Sequence, residues 1–214
     1  MKNLLINKCI KLARDSYNDD KALICGNEAF IVHKENKTIY VAFRGSDDLE
    51  DWLENANIGF TSQNGVLVHR GFYNALKECL PILSGFISRN YSYGDKFVLT
   101  GHSKGSAMAL LFGNDLIATG FPSGAIQFIG FATPRVIKAS SVQLFNRHRF
   151  SIFLCELEAD PVTDLPKRYM GYSKVYDILK VKRMVWWRKL FGVRAYNHKI
   201  SEYVKKFYVK ENFM

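Results

Sequence analysis

The chain has 214 residues, 48% of them hydrophobic and 23% charged, and 30 Lys and Arg against 20 Asp and Glu give a formal net charge of +10. This balance excludes a disordered chain and leaves enough apolar residues for a sizeable core; no apolar run approaches the roughly eighteen residues of a membrane-spanning helix. The charge is uneven: residues 1–164 hold 17 basic and 17 acidic side chains and residues 165–214 hold 13 against 3, so a negatively charged partner would meet the C-terminal part.

The N-terminal apolar run Leu4-Leu5-Ile6 stops at Asn7, too short for a signal-peptide core, and on that ground the expected location is cytoplasmic. Residues 3–17 carry Leu5, Cys9, Leu12 and Ala13 at the spacing of one helix face. Residues 29–33 and 38–43 read as two strands of a hairpin closed by Lys34-Glu35-Asn36-Lys37. Within 47–56, Leu49, Trp52, Leu53 and Ala56 share one face of a helix, and three early acids suit its positive end. Residues 57–65 read as loop, 66–68 as a short strand, and 72–89 as a helix that Pro81 would kink or interrupt. A strand at 96–100 leads through a glycine-flanked serine into a helix ending near Thr119. Strands follow at 126–132 and 151–158 with a helix over 140–148 between them; one or two strands fall within 175–185, and a last helix spans 199–209. Strands alternating with helices predict an α/β fold, a mainly parallel central sheet with helices on both faces, as a single domain over 1–214. The four cysteines, Cys9, Cys25, Cys79 and Cys155, have no zinc or redox-motif spacing, so buried free thiols are expected, with two disulfides as the other arithmetic possibility. No metal or cofactor is implied.

The stretch Gly101-His102-Ser103-Lys104-Gly105, between an apolar strand and a helix of small residues, has the G-x-S-x-G pattern of a nucleophile elbow. The glycines are needed because the chain reverses sharply there and only residues without bulk fit beside the serine. A serine hydroxyl attacks a carbonyl only when a base takes its proton, and on this type of elbow the partners follow in the order serine, acid, histidine. Only His148 and His198 come after Ser103. The later acids are Asp115, Glu156, Glu158, Asp160, Asp164, Asp177, Glu202 and Glu211. Asp160 sits just past a strand end, where open α/β sheets place ligands. His148 precedes it and breaks the order; His198 follows it. The catalytic reading is therefore Ser103, Asp160 and His198. The oxyanion of the intermediate needs two donors. These are the backbone N–H of Lys104 and the turn Arg44-Gly45-Ser46, where Ser46 offers its N–H and its hydroxyl.

These residues resemble the class 3 lipases, the fungal-type lipase family of the α/β-hydrolase superfamily. The resemblance runs over roughly residues 38–200. It is carried by Val41-Ala42-Phe43-Arg44-Gly45-Ser46, Trp52, Val68-His69-Arg70-Gly71-Phe72, Gly101-His102-Ser103-Lys104-Gly105, Pro134-Arg135-Val136, Asp160-Pro161-Val162, Leu165-Pro166 and His198. It implies a serine ester hydrolase acting on lipid esters without a cofactor, with Ser103, Asp160 and His198 as triad, Ser46 and Lys104 as oxyanion hole, and 47–56 as a lid. A surface helix packed permanently on the core is the other reading of 47–56. The sequence departs from the family at Lys104, where leucine is usual, and at Gly105-Ser106, where Gly-Gly is usual. A lysine there would alter acyl preference or meet an anionic headgroup. In Val185-Trp186-Trp187-Arg188-Lys189-Leu190-Phe191, aromatics alternate with cations, a composition suited to peripheral contact with an anionic membrane; a packed sheet edge with a solvated charged face is the alternative. A nucleic-acid partner is not expected, since charge alone would support it. The second functional reading is a catalytically weak hydrolase-fold module that binds anionic membranes or a protein.

Overall fold

The central sheet starts from the expected hairpin. In the computed structural model, which describes residues 2–46, 58–147, 150–157, 160–175 and 198–208, strands β2 (Glu28–Glu35) and β3 (Thr38–Phe43) pair antiparallel with Phe30 opposite Phe43. The reversal uses Asn36 at a φ of 52°, a region that asparagine enters at lower cost than most residues. β3 has the expected bounds, whereas β2 exceeds them because Glu28 precedes the expected start and Lys34 and Glu35 continue the ladder. At the outer edge lies β1 (Leu23–Cys25), antiparallel to β2; three residues are too few for an alternation to be recognised in sequence.

On the other side of β3, strands β6 (Lys96–His102), β7 (Ile126–Phe131) and β9 (Ser151–Cys155) add in parallel, giving the order β1-β2-β3-β6-β7-β9. The sheet is covered on both faces, which explains its nearly continuous apolar strands. Side chains alternate between two cores. Phe97, Leu99 and Phe128 pack under the helices Arg70–Asn90 and Lys104–Ala118, together with Phe72, Leu76, Ala107 and Leu111. Val98, Ile129 and Phe131 pack under the first helix, Lys2–Asp15, and the last, Ile200–Phe207, together with Ile10, Ala13, Tyr203 and Phe207.

Three expectations are corrected. Residues 57–65 contain strand β4 (Phe60–Gln63), which turns at Asn64-Gly65 into β5 (Val66–His69). The turn residues have φ of 52° and 83°, the left-handed pair that a two-residue hairpin requires. With β8 (Ile137–Lys138) and β10 (Tyr172–Ser173) they form a second, antiparallel sheet in the order β10-β8-β5-β4. Pro81 does not interrupt its helix, which runs unbroken from Arg70 to Asn90. It lies on the solvent side, where water can meet the carbonyl that proline leaves without a donor, while Leu76, Cys79 and Leu83 hold the opposite face in the core. The strand expected over 151–158 ends at Cys155; Glu156, beyond it, is buried and bonded to Lys174 at 2.7 and 2.9 Å. The four cysteines are buried free thiols. The helix expected at 47–56, His148, the strands expected beyond Val175 and the basic stretch 185–191 lie outside the described residues.

The long helix begins at a histidine cap. His69 Nδ1 accepts from the N–H groups of Gly71 at 3.1 Å and Phe72 at 3.4 Å, and burial pushes its pKa from 6.5 down to about 4. The unfolded chain takes up this proton near its ordinary pKa and the folded chain does not. Stability present above pH 6.5 is therefore lost as pH falls towards the folded value, by about 3 kcal/mol from this group alone. Calorimetry between pH 7 and 4 should show Tm falling less steeply in His69→Asn, which keeps a capping acceptor and has nothing to titrate.

Candidate active site

Strand β6 ends at His102 and the next helix begins at Lys104, leaving Ser103 alone at the reversal with φ 57° and ψ −126°. Few non-glycine residues adopt this conformation, and close backbone packing enforces it. A Cβ on Gly101 would lie 2.4 Å from the Gly105 carbonyl carbon, and one on Gly105 would lie 2.2 Å from Phe43 O and 2.7 Å from the Arg44 carbonyl. Ser103 N donates to Phe131 O at 2.9 Å, and Ser106 N donates back to Ser103 O at 3.0 Å. The two glycines of the motif are thus the two contacts that let helix, strand and the end of β3 meet.

Asp160 follows β9 in a loop organised by its own groups. Val162 N–H donates to Asp160 Oδ1 at 2.9 Å, and the Thr163 hydroxyl donates to Asp160 O at 3.1 Å. Arg135 clamps the far end of this loop: its guanidinium donates to Asp164 O, to Pro166 O at 3.1 Å and to Asp164 Oδ1 at 2.7 Å, while its backbone N–H donates to Leu165 O at 2.6 Å. His198, two residues before the last helix, lies with Nδ1 3.1 and 3.0 Å from Asp160 Oδ1 and Oδ2 and Nε2 2.9 Å from Ser103 Oγ. All three side chains are buried. A carboxylate on one side of the ring holds the proton on Nδ1 and leaves Nε2 free to accept from the serine hydroxyl.

Two tyrosines and a histidine, none of them anticipated from the sequence, complete the arrangement. The Tyr203 hydroxyl donates to Asp160 Oδ2 at 2.7 Å and accepts from Leu157 N at 3.2 Å. Burial, followed by the charge of Asp160, pushes the Tyr203 pKa well above its ordinary value, so it remains a donor. The Asp160 carboxylate therefore meets the donors of His198, Tyr203 and Val162. His102 stacks on His198 with ring centroids 4.8 Å apart and is hydrogen-bonded through Nδ1 to the Tyr17 hydroxyl at 2.9 Å. Burial, and next the neighbouring His198, push its pKa well below 6.5, so His102 stays uncharged against the ring. Tyr203 carried one signal in the sequence: a tyrosine on the apolar face of a short amphipathic helix needs a partner for its hydroxyl. Nothing in the sequence joined Tyr17 to His102.

The other acids weighed from the sequence and described in the structure are engaged elsewhere: Asp115 with Asn64, Glu156 with Lys174, Asp164 with Arg135 and Glu202 with Lys205. Gly45 presses against the elbow, since a Cβ there would lie 2.5 Å from His102 O. In the parallel register Phe43 is level with Gly101, so Ser46 and Ser103 leave the same edge of the sheet. The Lys104 Nζ is bonded to Glu28 Oε1 at 2.8 Å, and only 17% of the side chain is exposed.

A profile of the family described as Lipase (class 3) matches residues 40–170. Secreted mono- and diacylglycerol lipase A of Penicillium cyclopium is 30% identical over 172 residues, 75% of this chain and 53% of that protein. Phospholipase A(1) DAD1, chloroplastic, of Arabidopsis thaliana is 24% identical over 164 residues, 67% of this chain and 37% of that protein. A solved triacylglyceride lipase of Rhizomucor miehei superposes with a TM-score of 0.73 at 21% identity, over 84% of this chain and 80% of that one. That likeness identifies the fold as α/β-hydrolase, with the mainly parallel sheet expected. The chain spans about half the length of the first of these relatives. The cytoplasmic location expected from residues 1–8 is overturned, because fungal relatives are named as secreted; a short apolar run at the start of a chain spanning half of a relative is no measure of export.

Tyr203→Phe leaves the ring in place and removes one donor to the carboxylate together with the acceptor for Leu157 N–H. It is expected to cost about 2 kcal/mol, lowering Tm by roughly 4–8 °C. It should also slow the reaction of Ser103 with a fluorophosphonate, measured at a temperature where both proteins are folded.

Proposed function

The chain belongs to the class 3 lipase family, and from that premise we propose that it is a serine ester hydrolase acting on lipid esters. The observation that carries the reading is the buried chain from Ser103 Oγ through the His198 ring to Asp160, each link 2.9 to 3.1 Å long. His198 Nε2 takes the hydroxyl proton as Ser103 Oγ attacks the ester carbonyl carbon. Asp160 stabilises the imidazolium so formed, and uncharged His102 adds no competing charge beside it. The oxygen of the tetrahedral intermediate rests on the backbone N–H of Lys104 and on Ser46, a contribution worth roughly 10²–10³ in rate per donor. Collapse breaks the ester C–O bond, the departing alcohol takes the proton from His198, and water then releases the acid from the acyl-enzyme by the same steps.

The names of the relatives extend from mono- and diacylglycerol lipase to phospholipase A(1), which supports a lipid ester with an acylglycerol or phospholipid core. The excess of cations in residues 165–214 supports docking on an anionic lipid surface. The reading as a weakly catalytic binding module rests on the altered elbow at Lys104 and Gly105-Ser106 and on the concentrated positive charge; the buried Ser103–His198–Asp160 chain favours the hydrolase instead.

Fluorophosphonate labelling with turnover of a monoacylglycerol, diacylglycerol, triacylglycerol and phospholipid panel tests the assignment. Wild type is expected to label and to hydrolyse at least one class; Ser103→Ala should lose both. Asp160→Ala and His198→Ala should fall by roughly 10⁴ or more in kcat. Equal labelling of wild type and Ser103→Ala would overturn the assignment.

A further inference from the structure

Lys104 is the one residue of the elbow that the chemistry above uses only through its backbone, and its side chain stands in an unfavourable place. It is the first residue of a helix, where the N-terminal N–H groups disfavour a cation, and most of its side chain is out of water. Glu28 is the carboxylate that neutralises it: the residue is 6% exposed and its Oε1 lies 2.8 Å from Nζ. The position of Glu28 in the sheet matters more than the pairing itself. The β2–β3 ladder sets Phe30 opposite Phe43, and Arg44 N–H donates to Ala29 O at 2.8 Å just beyond it. Continuing that register, Glu28 is level with Gly45, the residue before Ser46. One end of the ion pair therefore lies beside the turn that carries Ser46, and the other end is Lys104 itself.

We propose that the Glu28–Lys104 ion pair is a positioning device for the oxyanion hole, strapping the elbow to the Arg44–Ser46 turn so that the donors of Ser46 and Lys104 keep a fixed separation. The inference rests on the ester-hydrolase reading given above. Glu28 touches no reacting atom; it acts through Lys104. The physical stake is high, because a donor displaced by about 1 Å loses most of its stabilisation of a developing oxyanion, on the order of 10²-fold in rate. Loss of Glu28 also leaves a largely buried ammonium unpaired at the helix N-terminus, which pulls the first turn towards solvent.

The test compares wild type, Glu28→Gln, Glu28→Asp, Lys104→Met and the double variant Glu28→Gln/Lys104→Met on one soluble ester, each well below its own Tm. Affinity for a trifluoromethyl ketone, which mimics the tetrahedral intermediate, is measured alongside. Glu28→Gln is expected to lose roughly 10–100-fold in kcat with KM unchanged, and its inhibition constant for the ketone should rise by the same factor. Glu28→Asp, which restores the charge on a shorter arm, should recover part of both. In the Lys104→Met background, Glu28→Gln should cost little more. A folded Glu28→Gln with wild-type kcat and ketone affinity overturns the proposal while leaving the enzyme assignment standing. So does a loss shared equally between kcat and KM, or a full additional loss in the double variant. A wild-type protein that neither hydrolyses the ester nor labels with fluorophosphonate overturns both readings together.

Discussion

The structure depends on three backbone segments meeting without side chains between them. Ser103 occupies a conformation that costs on the order of 1–3 kcal/mol, and it persists because Gly101, Gly105 and Gly45 let β6, the following helix and the end of β3 touch at distances a Cβ would not permit. Gly130 at the end of β7 continues the theme: a Cβ there would lie 2.4 Å from the hydroxyls of both Ser106 and Thr133, which are bonded to each other at 2.6 Å. The parallel strands end together at this edge, so the strain at one residue is set by the sheet register and not by the loop alone. A serine held this way needs no reorganisation to serve as the proposed nucleophile, and preorganised sites gain rate in this way.

The second half of the site comes from the far end of the chain and is held by polar contacts. The Asp160 carboxylate is fully enclosed, and burial of a charge is tolerable only when its oxygens are met by donors. Tyr203 supplies a donor from the last helix, His198 from just before it, and Val162 from the loop itself. Tyr203 and Phe207 seat that helix against the first one and the sheet, so packing of the C-terminal helix sets the direction of the histidine. Arg135 holds the same loop from the side of the second sheet. The charges near the nucleophile are arranged in the same manner. Glu156 and Asp160 are buried and Lys104 is partly buried, each beside a partner, and the ring stacked on His198 is neutral.

The elements carrying the site were legible in the sequence because each has a strong local signature. The hairpin of β2 and β3, the apolar strand before Gly101-His102-Ser103-Lys104-Gly105 and the helix after it follow from periodicity and glycine placement. Chain order alone reduced five histidines to two candidates, one of which preceded the acid. Of the second sheet only the strand at 66–68 was legible, because its strands have two to four residues, too short for a firm alternation, and β5 pairs with β8 across the gap from Val68 to Ile137. The unbroken helix through Pro81 escaped because propensity is local and the core face that holds that helix is not.

By itself the sequence singled out Ser103, Asp160 and His198, which the fold brings together, and the class of fold, since spacing and order are properties of the chain. Only the tertiary structure decided what surrounds them. Tyr203 became a donor to Asp160, His102 a neutral ring against His198, and Lys104 the partner of Glu28 instead of a free cation. The reason is that a side chain's charge, hydrogen bonds and burial depend on neighbours brought from 43, 96 or 76 positions away, and no local pattern of residues records which distant segment will close over it.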